Sequence, residues 1–245
     1  MERLVTIRSR TPKVDPDNAF DVFVSSNSKT GMSINTAIAR TCRPTKACME
    51  YCYGLTGKLV FPAALATQAR NAEFFATADD ATLKVEARRV GRHVLRKQGF
   101  LRMFGVGDLQ PGSVTFTAAL AERTPELQVW VSTRKLDLAA RLPVLPNLHV
   151  MLSCDATTTK SNIAETRRLV RERKGMFFAA WVRRDAEEKV PRWISVVFEE
   201  HRLSRRAQWP PERRSCPATA RDGIAHEGAC ARCRFCFDAK QRNKR

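Results

Sequence analysis

The sequence predicts an α/β fold of parallel βα repeats followed by a cysteine-rich, metal-binding C-terminal extension. Three observations carry this expectation. Short apolar runs of strand length alternate with stretches of helical periodicity through residue 200. Polar residues collect just after those runs, where parallel α/β folds carry their sites. Beyond residue 200 both periodicities stop, and residues 201–245 hold four of the eight cysteines, with twelve Lys and Arg against four Asp and Glu. The chain thus divides into a loosely ordered lead-in over 1–19, an α/β body over 20–200 and a basic tail over 201–245. A tail that small calls for a metal to hold it together. Strands alternating with helices imply a parallel sheet, either open or curled towards a barrel.

The lead-in is polar and broken by Pro12 and Pro16. Residues 20–24 are rich in β-formers and run into the polar turn Ser25, Ser26, Asn27 and Ser28. The stretch from Asn27 to Gly31 reads as a tight turn in which Gly31 is free to take positive φ; the sharper reading makes Lys29 an anion contact. A helix is expected over 61–77, with Pro62 in its first turn and Phe74 and Phe75 as core anchors. Asp79 or Asp80 caps the next helix. On it Leu83, Ala87, Val90 and Val94 recur at helical spacing, while Arg88, Arg89, Arg92 and Arg96 occupy other faces. Strands follow over 100–104, 127–131, 148–152 and 176–182, and a fifth over 193–198 alternates less clearly. The segments between them read as helices over about 113–122, 135–141 and 158–173. Gly105 to Asp108, Ser132 to Lys135, Ser153 to Asp155 and Arg183 to Asp185 are the polar groups at successive strand ends.

Composition narrows the class of function. The 245 residues are enough for a full core, and 43% hydrophobic with 28% charged residues excludes a disordered chain. The longest apolar run, over 176–182, is too short to cross a bilayer, and the start has no apolar signal core, so a cytoplasmic protein without a membrane partner is expected. In a reducing compartment clustered cysteines serve as metal ligands or catalytic groups rather than disulfides. The net charge of +18 points to a polyanionic partner, nucleic acid first.

Cys42, Cys48 and Cys52 fall in one loop between the first strand and the first long helix. Three local thiolates hold a soft metal and leave one coordination position open, as catalytic sites need. A zinc site closed by a fourth ligand from elsewhere, such as Cys154 or a histidine, fits the spacing equally well. The tail carries Cys216, then Cys230, Cys233 and Cys236 at overlapping Cys-x-x-Cys spacing. Four thiolates make a closed set, structural or electron-transferring, with a ferredoxin-like iron–sulfur cluster or a zinc knuckle as its content. Cys154 is left over as a small packing side chain, and His93, His149, His201 and His226 read as surface or packing histidines.

The cysteine loop, with Tyr51 immediately before its last cysteine, resembles the cluster loop of radical S-adenosylmethionine enzymes. That resemblance implies a six-stranded partial, TIM-like barrel. It also implies a [4Fe-4S] cluster on Cys42, Cys48 and Cys52, with S-adenosylmethionine on the remaining iron and Tyr51 near the adenine. Gly105, Gly107 and Asp108 stand where that family binds the cofactor's amino group. Ser132 and Ser153 would contact its ribose or carboxylate. An external electron donor and a 5′-deoxyadenosyl radical would follow. Asn27 to Gly31, the cysteine loop ending in Cys52 and Tyr53, Gly107 with Asp108, and the Cys-x-x-Cys-x-x-Cys tail are similar to a phage and prophage family called gene product 88.

Positive charge gathers at Arg88, Arg92 and Arg96, at Arg167 and Arg171, and at Arg205 and Arg206 leading into the tail. Phosphate-backbone contact is the expectation for the ensemble, with no sequence-reading module in view. The leading reading is a radical S-adenosylmethionine-like enzyme acting on a nucleic acid base or nucleotide in a phage or mobile-element setting. Its rival is a non-catalytic nucleic-acid-binding protein with two structural zinc sites. Metal-dependent hydrolysis through Glu50 and Asp108 comes third, because the ligand set is rich in thiols.

Overall fold

The computed structural model describes residues 21–27, 30–184, 187–199, 215–216 and 229–242. The body is a seven-stranded sheet whose spatial order follows the chain: β1 (Val24–Asn27), β2 (Gly31–Ile34), β3 (Phe100–Met103), β4 (Gln128–Thr133), β5 (Leu148–Asp155), β6 (Phe177–Arg183) and β7 (Val196–Glu199). β1 and β2 form an antiparallel hairpin, and every later pair is parallel. β7 is not paired with β1, so the sheet is open. No helix among the described residues is long and apolar enough to cross a membrane.

Seven helices lie along this body: α1 (Ile38–Thr41), α2 (Lys46–Glu50), α3 (Pro62–Thr77), α4 (Asp80–Lys97), α5 (Pro111–Arg123), α6 (Leu136–Ala139) and α7 (Lys160–Glu172). The long ones begin where the sequence supplies start signals. Pro62 opens α3, the Asp79 carboxylate caps α4 by accepting from Thr82 N, and the Thr159 hydroxyl caps α7 by accepting from Asn162 N. Leu83, Ala87, Val90 and Val94 are all buried on α4, as their spacing requires, and Phe75 of α3 packs edge-on against Phe116 of α5.

Alternation along the strands separates two faces. Leu101, Met103, Val129, Val131, Leu148, Val150 and Leu152 turn to the helices and share one core with Phe75, Leu83, Val90, Phe116, Leu120 and Leu169. Phe100, Trp130, Met151, Phe178, Ala180 and Val196 turn the other way and form a second cluster with Phe235, Phe237 and the four tail cysteines. The tail therefore covers the face that the helices leave bare. Phe237 stacks on Phe100 with ring centroids 4.3 Å apart, and Cys216 N donates to Val197 O on the far edge at 2.8 Å. Arg242 bonds the carbonyls of Gly175, Phe235 and Cys236 and lies 4.6 Å above the Phe178 ring. Beside β7 the buried Arg183–Glu199 pair, at 3.1 Å, is completed by the Ser215 hydroxyl.

The hairpin differs from expectation. Residues 22 and 23 are not strand: Val22 N donates to the Glu86 carboxylate of α4, and Asn71 of α3 bonds both backbone groups of Phe23. Side chains remote in sequence thus satisfy the backbone that a sheet neighbour would otherwise serve. The strand starts later, at Val24, and takes in residues read as a polar turn. The turn itself stands: the Asn27 side chain accepts from Thr30 N at 2.7 Å, and Gly31 has φ of 69°. Gly31 then opens β2, which the sequence reading lacked. The lead-in, Lys29, Asp185 and most of the tail lie outside the described residues.

His149 sits on the tail-covered face, its ring between Gln128 Oε1 at 2.8 Å and Arg242 Nη2 at 3.1 Å. Burial, reinforced by the Arg242 charge, holds it down at about 3 from an ordinary 6.5. The unfolded chain binds this proton first, so stability from this group is intact above about pH 6.5 and is lost as the pH falls towards about 3. The limiting slope is about 1.4 kcal/mol per pH unit. Urea unfolding of wild type and His149→Gln at neutral pH and near pH 4.5 should show the variant losing less stability on acidification. Equal losses would contradict the assignment.

Candidate functional site

The cysteine loop leaves β2 and is tied down at its middle. The Thr45 hydroxyl caps α2 by accepting from Cys48 N at 3.1 Å, and it donates to the Asp155 carboxylate at 2.5 Å. Ala47 N donates to the Thr157 hydroxyl at 3.0 Å. Both partners stand at the carboxyl end of β5, so the loop folds over the top of the sheet. Asp155 also takes Arg134 Nη2 at 2.9 Å, while Arg134 Nη1 donates to Ser153 O at 3.2 Å. Burial alone pushes the Asp155 carboxyl up, but Arg134 and the Thr45 and Thr157 groups outweigh it and hold the acid below its usual range. The Arg134 guanidinium is in turn hydrogen-bonded to the Cys48 thiol.

The loop after β3 forms the opposing wall. Phe104 and Gly107 both take positive φ, at 60° and 86°. A Cβ on Gly107 would stand 2.0 Å from Thr36 Oγ1 and 2.5 Å from Thr36 O, so the close approach of these two loops needs glycine there. Thr36 N donates to Val106 O at 3.0 Å, and Val106 N donates to Asn35 Oδ1 at 2.8 Å, joining the loops directly. Asp108 lies behind this wall. Its carboxylate accepts from the Thr133 hydroxyl, from Leu109 N at 2.8 Å and from Arg134 N at 3.2 Å. Burial pushes the carboxyl above its ordinary value against those bonds.

Between the walls is a cavity of about 130 Å³ at the carboxyl ends of the strands. Cys42, Cys48 and Cys52 all line it, as do Gly105, Gly107, Ser132 and Ser153. Asp108 and Tyr51 do not: Asp108 organises the strand ends from behind, and the Tyr51 ring lies 6.0 Å from the Arg184 guanidinium. Tyr53 takes the place at the cavity, its hydroxyl donating to Gly105 O. Burial, then the Asp108 charge and the Cys48 thiol, push Cys42 up to about 12. Burial also raises Cys48, with Arg134 opposing. Thiols so placed ionise only when a cation shares the cavity with them.

Among the described residues, no three His, Cys, Asp or Glu side chains stand close enough together to hold a metal ion. The loop thiols face a shared space rather than a point. The four tail thiols pack against one apolar cluster on the sheet, where burial raises Cys236 well above its ordinary value and Cys216, Cys230 and Cys233 add to the rise. Cys154 is buried on the helix side, against Thr166 of α7, away from both groups.

The expected basic residues are placed apart from the cavity. Arg88, Arg92 and Arg96 are exposed along α4, and Arg167 and Arg171 along α7, in the helical layer of the body. Arg205 and Arg206 lie outside the described residues. Arg134, Asp155, Thr45 and Tyr53 were not singled out from the sequence. Their partners are up to 110 positions away, and only the strand-end position of Arg134 and Asp155 hinted at them.

A family model described as Gene product 88 matches residues 10–239 of the chain. No curated protein and no solved structure matches it.

Asp155→Asn should release the loop, because it leaves the Arg134 charge largely buried and unpaired and weakens the bond to Thr45. A loss of about 3 kcal/mol in unfolding free energy is expected, with faster proteolysis between Cys42 and Cys52. Unchanged stability and cleavage would show that the loop is held by other contacts.

Proposed function

The chain belongs to the gene product 88 family, and on that premise we propose that it is an iron–sulfur enzyme of the radical S-adenosylmethionine kind, acting on a nucleic acid base or nucleotide. One observation carries the reading. Three thiols of a single loop line one cavity at the carboxyl ends of six parallel strands that succeed one another in chain order. That strand order, with the long helices on one side, is the arrangement expected of a partial TIM-like barrel.

In this reading Cys42, Cys48 and Cys52 hold a [4Fe-4S] cluster and leave one iron for S-adenosylmethionine. When bound, the pair supplies one-electron reductive chemistry that ends in hydrogen abstraction, with the electron coming from an external donor. The chain's own residues bind and orient. The backbone of Gly105 and Gly107 allows close approach, and the Ser132 and Ser153 hydroxyls offer contacts to ribose or carboxylate. Arg134 places a positive charge beside Cys48. Asp108 keeps the loop after β3 in shape rather than meeting the cofactor, and Tyr51 is a weaker candidate for the adenine than Tyr53. Arg88, Arg92, Arg96, Arg167, Arg171, Arg205 and Arg206 supply phosphate contacts.

The tail is a second, closed site on Cys216, Cys230, Cys233 and Cys236. Its surroundings suit a thiolate cluster: Arg102 Nε and Trp130 Nε1 are buried without acceptors among the described residues on the same sheet face, and Arg102 acts electrostatically on Cys236.

Anaerobic purification with iron, sulfide and zinc analysis tests the assignment. About eight irons per chain with matching sulfide are expected, falling to about four when Cys42, Cys48 and Cys52 are replaced together by alanine. That variant should lose reductive cleavage of S-adenosylmethionine and keep the tail cluster. Two zincs without sulfide would instead favour a non-catalytic nucleic-acid-binding protein with structural zinc sites.

A further inference from the structure

The segment from Arg43 to Leu65 reaches the rim of the cysteine-loop cavity at Arg43 and Tyr53 and carries a surface feature that neither the cofactor reading nor the basic helices use. Ten large hydrophobic side chains are exposed among the described residues, and six of them, Met49, Tyr53, Leu55, Val60, Phe61 and Leu65, fall within one short stretch of chain. Interleaved with them, Arg43, Lys46 and Lys58 are exposed. The one acid in that stretch, Glu50, lies 3.9 Å from Arg184. Scattered exposed apolar residues need no explanation, but six of them in one segment that reaches a cavity mouth do.

We propose that this rim binds single-stranded nucleic acid, with phosphates along Arg43, Lys46 and Lys58 and unpaired bases against Tyr53 and Phe61. The inference rests on reading the cavity as the reaction site and names the form of substrate that reaches it. Cationic side chains interleaved with exposed aromatic faces are the chemistry that holds an unpaired strand. The Tyr53 ring is held by its surroundings, and the Phe61 backbone by the start of α3. Tyr53 is 52% exposed while its hydroxyl bonds Gly105 O and lies 3.4 Å from Arg102 Nη2. Phe61 is 57% exposed and sits at the N-cap of α3, its N–H donating to Lys58 O at 3.4 Å. Little conformational freedom is lost when a base stacks on a ring already fixed.

A duplex offers phosphates but no free base faces, so the exposed rings have nothing to stack on until a base leaves its stack. An anionic membrane surface would also meet basic and apolar groups together. The rim, however, opens onto the strand-end residues Ser132, Ser153 and Arg134, which the cofactor reading assigns to the reaction, and a strand is the occupant that fits that role.

The test is fluorescence anisotropy with the full chain as purified anaerobically, using labelled DNA and RNA strands of about 20 nucleotides and the matching duplexes. Single strands should bind at least about tenfold more tightly than duplex. Phe61→Leu and Tyr53→Leu should each weaken single-strand binding by about tenfold, and Tyr53→Phe, which keeps the ring, should preserve it. Lys46→Glu with Lys58→Glu should flatten the salt dependence. Equal affinity for duplex and single strand, or wild-type binding by both leucine variants with normal thermal unfolding, would overturn the proposal. So would binding to phosphatidylserine vesicles with none to either strand. Iron and sulfide content, measured on the same samples, reports on the cofactor reading independently, so a strand-binding protein without a cluster would sink that reading and leave this one standing.

Discussion

A parallel sheet that advances in one direction, with crossovers of one hand, places its connecting helices on one face and leaves the other uncovered. From β2 to β7 this chain never reverses, so the helices share a core with one set of strand residues. The opposite set, from Phe100 through Trp130, Met151 and Phe178 to Val196, needs a cover from elsewhere. The tail supplies it by running from the β7 edge, where Cys216 bonds Val197, back to β3, where Phe237 stacks on Phe100. The cysteine loop closes the upper end of the sheet through Thr45 and Asp155. Two cysteine groups far apart in sequence are thereby brought to the same sheet, one against its bare face and one over its strand ends. The first arrangement would not arise in a doubly wound sheet, where helices cover both faces.

Elements whose stability is local or strongly periodic could be read from the chain. The apolar stripe of α4, the proline opening α3 and the strand runs at β3 to β6 are set by neighbours within a few residues, and their positions agree within a few residues with the folded protein. β2 escaped because Gly31-Met32-Ser33-Ile34 has neither a β-branched run nor clear alternation, and its strand character comes from pairing with β1 and β3. At the site, cysteine spacing was enough to group seven thiols. It could not distinguish Tyr51 from Tyr53, because the bend from α2 into the turn Tyr53–Leu55 decides which ring meets Gly105. Nor could it show that Asp108 is consumed by Thr133, Leu109 and Arg134, since strand-end position alone does not reveal whether a carboxylate points into a cavity or behind its wall.

Charge on the uncovered face connects the two groups of cysteines. Thiolates assembled around a buried cation normally outnumber its charge, and the excess must be offset where water is excluded. Arg102 is placed to do this. Its guanidinium lies 4.6 Å over the Trp130 ring, opposes the rise in Cys236, and reaches the hydroxyl of Tyr53 at the rim of the other site. Arg242 approaches the same tail group from below, its own charge disfavoured by burial and supported by Cys236 and Asp238. A cationic side chain in an apolar layer is expensive unless an anion is near. The buried Nε of Arg102 has no acceptor among the protein groups described, and its charge acts on the tail through space, at Cys236. On this argument the basic character of the chain is more than a surface property. Part of the +18 is internal, held at the inner face of the sheet by Arg102 and Arg242 beside the tail thiols.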